Sequence, residues 1–101
     1  VSYEQVISKI VREEGVEHST MMSTPCIRYK GQFMSMMFDR ENALIIKVSA
    51  DRVNELIAQG RGLEFNFTKK RFKEWVLIPL DYEADYESYI YEALEYAKTK
   101  A

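Results

Sequence analysis

Between residues 18 and 48 the chain abandons helical spacing and runs as extended, branched and aromatic stretches separated by short connections. Nothing else in the sequence constrains the fold as much. Strands joined by short turns lie antiparallel to their neighbours, because a parallel partner needs a crossover of about a dozen residues or more. Thr20 to Ser23 and Cys26 to Lys30 read as extended chain interrupted by Pro25, which cannot donate to a ladder and belongs at an edge or a bulge. Gly31-Gln32 is a turn, Phe33 to Phe38 a second strand, Asp39 to Asn42 a polar loop, and Ala43 to Val48 a third strand rich in branched residues. The expectation is an antiparallel meander.

Helical patterns flank it. Ser2 and Gln5 have the spacing of a capping box. Tyr3, Val6, Ile7, Ile10 and Val11 follow at helical spacing, and Gly15 supplies a left-handed stop, which predicts a helix over residues 3–14. Ser49 caps a second helix with a narrow stripe of Val53, Leu56 and Ile57, closed by Gly60-Arg61-Gly62. Leu63, Phe65 and Phe67 alternate with Glu64 and Asn66, the period of a half-buried strand. A turn at Thr68 to Arg71 leads to a strand at Phe72 to Pro79. Tyr82, Tyr86, Tyr89, Ile90, Ala93 and Ala97 then fit a final helix. The order α-β-β-β-α-β-β-α lacks the regular alternation of a doubly wound sheet. It predicts an α+β fold, a two-layer sandwich with helices on one side of an antiparallel meander sheet.

The length of 101 residues predicts a single domain spanning 1–101, and 47% apolar with 30% charged residues is globular composition. The net charge of −2 weighs against a stand-alone nucleic-acid binder, whose affinity comes mostly from neutralising phosphates. No apolar run reaches the roughly 20 residues of a membrane span, and the first residues carry Glu and Arg rather than a signal-peptide core. Cys26 is the only cysteine, so no intrachain disulfide can form, and a cytoplasmic location is the expectation.

The chemistry-bearing residues are sparse. A Cys–His dyad could only be Cys26 with His18. One His and one Cys cannot close a zinc site without several carboxylates. Met21, Met22, Met34, Met36 and Met37 crowd the first sheet segment, and a regular strand would put the thioethers of Met34 and Met36 on one face, where a soft metal or plain core packing could use them. Asp81, Glu83, Asp85 and Glu87 surround the start of the last helix, where acidic side chains suit the positive end of its dipole. Gly60-Arg61-Gly62 follows a helix instead of opening one, so it is no phosphate loop. The reading assigns no catalytic residue, no cofactor and no metal. A small-molecule enzyme remains an alternative that would need a pocket at Cys26, His18 or the acidic cluster.

Two surfaces stand out for binding. Tyr82, Tyr86, Tyr89, Tyr91, Leu94 and Tyr96 spread apolar and aromatic character around the last helix further than one sheet should need, which predicts a protein interface. Lys69, Lys70, Arg71 and Lys73 lie beside Phe72 and Trp75, a pairing of cations and rings that can hold single-stranded nucleic acid.

Several segments occur in an order that resembles the family of the amino-terminal domain of the bacterial competence regulator TfoX. They are Met22-Ser23-Thr24-Pro25-Cys26-Ile27, Gly31-Gln32-Phe33, Leu44-Ile45-Ile46-Lys47, the stretch Arg52 to Gly60, Phe65-Asn66-Phe67 and Lys73-Glu74-Trp75-Val76. The chain departs from the pattern at Ser23-Thr24, where the family commonly has Phe-Gly. The resemblance implies an α+β fold like that of secretion chaperones, often self-associating, with no established catalytic activity. Together with the surplus of Tyr on the last helix it leads to the expectation of a homodimeric interaction or regulatory module, with a regulatory protein as the other candidate partner. A nucleic-acid-binding accessory protein is the alternative from a different class.

Overall fold

The computed structural model describes residues 2–21, 23–38, 42–67 and 69–101, without the side chain of Phe67. Met22 of the resemblance, residues 39–41 of the polar loop and Thr68 of the basic turn lie outside the described residues.

Helix α1 (Tyr3–Ile10) begins as its sequence dictates. The Gln5 backbone N–H donates to the Ser2 hydroxyl at 3.3 Å, and the Ser2 N–H donates to the Gln5 side chain at 3.0 Å. It ends four residues before the predicted boundary. Arg12, Glu13 and Glu14 are exposed and have no apolar surface to bury. The N–H groups of Arg12 and Glu13 turn to the carbonyls of Lys9 and Ile10, three residues back, as in a tightening last turn. Gly15 then takes φ +89° with the Tyr29 ring against it, where an added Cβ would stand 2.7 Å from the ring.

Six strands form one antiparallel sheet in the order β1-β2-β3-β4-β6-β5. The stretch expected as a single interrupted strand is a hairpin, β1 (Val16–Met21) and β2 (Thr24–Tyr29), and Ser23 at φ +62° supplies the left-handed residue of its tight turn. Pro25 sits beside that turn opposite Thr20 of the edge strand. Strands β3 (Gln32–Phe38) and β4 (Ala43–Lys47) complete the meander. Helix α2 (Ala50–Ala58) is capped by Ser49, whose hydroxyl accepts the Arg52 N–H at 3.2 Å. Beyond its end the Gly60 N–H bonds Ile57 O and the Arg61 N–H bonds Leu56 O, a Schellman stop with Gly60 at φ +76°. Strands β5 (Leu63–Phe67) and β6 (Lys70–Pro79) follow, β6 pairing with β4, and a 3₁₀ segment (Leu80–Asp85) leads into α3 (Tyr86–Lys100).

All three helices cover one face. Val6, Ile10, Val53, Leu56 and Ile90 pack there against Leu44, Ile46, Val76 and Ile78 of the sheet. The α+β class and the one-sided helix layer are those the sequence predicts. The opposite face carries a second buried cluster, with Cys26, Phe33, Met36, Ile45, Phe65, Trp75 and Leu77 at its centre and Phe38 and Phe72 packed against it. Strands β3 and β5 are three places apart, about 14 Å in a flat sheet at ordinary strand spacing. The rings of Phe38 and Phe65 nevertheless approach to 5.8 Å, so the sheet coils around this cluster.

Two register shifts make that possible. Ile27 pairs with Ser35 but Arg28 with Phe33, which leaves Met34 as the extra residue of a bulge. Glu64 pairs with Val76 but Asn66 with Arg71, so residues 72–75 stand against Phe65 alone. Phe72 and Trp75 thus both reach Phe65, at 5.4 and 5.3 Å between ring centroids. The first bulge also corrects the methionine reading. Met34 packs in the helix-covered core and Met36 in the aromatic cluster, on opposite faces, because the bulge breaks the strand's period of two.

Candidate functional site

The supposed nucleophile and base lie on opposite faces of the first hairpin, although both belong to the lining of one groove between α1 and that hairpin. His18 pairs with Ile27 and Cys26 pairs with Ser19, and successive residues on a strand point to opposite faces. His18 is exposed, whereas Cys26 is 1% exposed in the aromatic cluster, and burial pushes its thiol pKa up. A buried thiol held protonated is a poor nucleophile. The acidic residues near α3 are also divided: Asp85 ion-pairs with Arg61, and Glu87 with Lys9 of α1. Among the described residues no group of three or more His, Cys, Asp or Glu side chains is placed to hold a metal ion.

The Tyr-rich helix is used mainly inside the molecule. Tyr86 is 0% exposed and its hydroxyl donates to Ile78 O at 3.0 Å; Tyr89 and Leu94 are buried in the same core. Burial pushes the Tyr86 pKa up to about 12. Tyr82 lies in the 3₁₀ segment beneath the Arg61 guanidinium, 4.1 Å from its ring centroid, and its hydroxyl donates to Gly60 O at 3.3 Å. The wide stripe has a local explanation. α3 lies on the sheet and against α1, and it is tied to α2 by Arg52, which bonds Glu92 at 2.8 and 3.0 Å, so its sides as well as its base meet the chain's own elements. Burial therefore withdraws Tyr86, Tyr89 and Leu94 from the predicted interface.

Tyr91 and Tyr96 remain half-exposed. They line a shallow groove of about 660 Å³ between α3 and the start of α2, with Val48, Arg52 and Thr99 around them. The Tyr96 hydroxyl donates to Glu74 at 2.8 Å, and burial together with that carboxylate raises its pKa. Glu74 also faces Lys47 at 3.9 Å, a cross-sheet ion pair that accounts for the lysine at the end of β4.

At the β5–β6 hairpin, Lys69, Lys70 and Lys73 are exposed, but Arg71 is engaged by Glu64 at 3.2 Å and by Asn54 at 3.2 Å. Trp75 is buried and stacked on Phe33 at 4.4 Å with planes 15° apart, so its face is occupied. Phe72 remains half-buried with the Lys70 ammonium 5.7 Å from its ring centroid.

A second groove, of about 610 Å³, lies between α1 and the β1–β2 hairpin, and its lining includes Cys26, His18 and Glu83, the places where the enzyme alternative requires a pocket. Its apolar parts are Tyr3, Ile7, Ile27 and Met37, and Glu4, His18 and Glu83 stand around it. These residues come from five separate segments, so no local pattern announces them. Burial pushes the Tyr3 pKa up to about 12. Its phenol approaches the Ser35 hydroxyl, which is fully buried and makes no hydrogen bond of regular geometry. No family model matches the chain, and no curated protein or solved structure matches it either.

Proposed function

We propose that this domain is a non-catalytic interaction module of a regulatory protein, homodimeric, of the TfoX amino-terminal type. The supporting observation is the surviving part of the tyrosine face: Tyr91 and Tyr96 stand half-exposed over an apolar groove beside the fixed Arg52–Glu92 pair. Tyrosine is rigid and amphipathic, and a patch that meets its own copy across a two-fold axis needs only to be self-complementary. A regulatory protein could use the same face in place of the second copy. Light scattering at tens of micromolar protein tests the dimer. Wild type should run as a dimer and Tyr91→Lys/Tyr96→Lys as a monomer, whereas a monomeric wild type defeats the reading.

A second reading, an accessory protein that binds nucleic acid, is supported by Lys70 over Phe72 at the exposed hairpin. It predicts salt-sensitive binding to single-stranded oligonucleotides that is lost when Lys69, Lys70 and Lys73 are changed to Glu. No binding at low salt disposes of it.

A further inference from the structure

The groove between α1 and the β1–β2 hairpin combines three properties. Its volume of about 610 Å³ is that of a site for a small molecule, a class that spans about 300–1,000 Å³. Ile7, Ile27 and Met37 provide an apolar floor, and Tyr3 adds an aromatic ring. Among the described residues the lining carries two carboxylates, Glu4 from α1 and Glu83 from the 3₁₀ segment, with His18 the basic side chain and no Lys or Arg beside them. The basic residue of α1, Lys9, is drawn to Glu87 of α3 and is not part of the lining.

From this geometry we infer that the groove is a binding site for a small amphiphilic amine, its apolar body on Ile7, Ile27 and Met37 and its ammonium between Glu4 and Glu83. Complementary charge is what separates such a ligand from others of equal size. A carboxylate or phosphate head would face two like charges, and an uncharged head would gain nothing from them. The apolar floor supplies affinity that scales with buried chain length, while the carboxylates select the head group. The inference goes beyond the interaction-module reading and does not depend on it, since the tyrosine face involves none of these residues.

Heteronuclear NMR titration of the intact chain with n-hexylamine, hexanol and hexanoate tests the inference at neutral pH. Hexylamine should shift the amides of residues 2–8 and of Thr24, Cys26 and Ile27 in a saturable way, with binding at least tenfold tighter than hexanoate. Glu4→Gln/Glu83→Gln should weaken hexylamine several-fold and leave hexanol unchanged. Glu4 is exposed and Glu83 half-exposed, and unchanged chemical-shift dispersion of the variant would establish that it is folded. Equal binding of amine and carboxylate, an amine affinity untouched by the double variant, or shifts confined to the α2–α3 groove would each overturn the inference. So would shifts at these same amides that grow with protein concentration alone, which would make a second copy the occupant.

Discussion

On its helix-covered face the sheet presents Leu44, Ile46, Val76 and Ile78; on the other it presents Phe33, Met36, Phe65 and Trp75. Both sets are buried, yet by different means. Helices bring their own side chains to the first face, so medium aliphatic residues meet partners from above and a small residue such as Ala93 lets α3 come close. Among the described residues no helix lies over the second face, which must bury itself. That takes long, flat side chains that reach across strands, a coiled sheet, and bulges that aim two rings at a third. Phe65 is the hub, with Phe38 and Phe72 edge-on at 5.8 and 5.4 Å and Trp75 tilted at 5.3 Å. A helix-free face can thus be a core, provided its residues are aromatic enough to close it.

Removing the hub should produce the largest effect. Phe65→Ala deletes a ring that is 2% exposed and touches three others, and a large-to-small change of this kind costs about 3–5 kcal/mol. Urea denaturation measures it. A loss below about 1.5 kcal/mol would mean that the second cluster is surface packing and not a core, and the comparison between the faces would fail.

The next effect belongs to the helix-covered face, where the half-buried Tyr3 and the buried Tyr86 lie. Burial pushes both Tyr3 and Tyr86 from 10.0 up to about 12. Between those pH values the unfolded chain has released phenolic protons that the folded chain still holds, so stability falls as pH rises. Their contribution is complete below pH 10 and lost as pH passes through the folded values near 12. Denaturation curves across this window should show that decline, shallower in Tyr3→Phe and in Tyr86→Phe. A slope identical in wild type and both variants would remove the phenols as its cause. Smaller still is Ile90→Val, a loss of one buried methylene under α3 that should cost about 0.5–1.5 kcal/mol. The sheet backbone separates Ile90 from Phe65, so the two changes should add within about 0.5 kcal/mol. A larger coupling would show that the faces share strain.

These differences explain what could be read from the chain in advance. Caps and stops are local, and Ser2 with Gln5, Ser49 and Gly60 carry their geometry in their own side chains or in the lack of one. The one-sided helix layer follows from amphipathic stripes. Register shifts are not local. Nothing around Phe33-Met34 marks a bulge, yet it sends Met34 and Met36 to opposite faces. The same limit applies to the tyrosine face, where helical spacing counts apolar residues but does not show that α1 and α2 flank α3 as well as the sheet beneath it. It applies most of all to the groove at α1, whose carboxylates Glu4 and Glu83 are far apart in sequence and converge only through the fold.

The smallest expected effect tests the helix-covered face at a buried hydroxyl. Ser35 lies at the centre of β3, paired with Ile27 and Ile46, where an aliphatic side chain would match its neighbours. Its hydroxyl is fully buried and lacks a regular hydrogen bond, although the Tyr3 phenol comes near. Desolvating such a group costs about 1–3 kcal/mol, and Ser35→Ala removes that cost along with one oxygen of volume. The two changes offset, so stability should stay within about 0.5 kcal/mol of wild type or rise slightly. Ser49→Ala provides the contrast, since it strips the bonded cap from α2 and should cost about 1 kcal/mol. If Ser35→Ala instead costs as much as Ser49→Ala, then Tyr3 and Ser35 form a working hydrogen bond in solution. The helix-covered face would then depend on a polar link between α1 and the centre of the sheet.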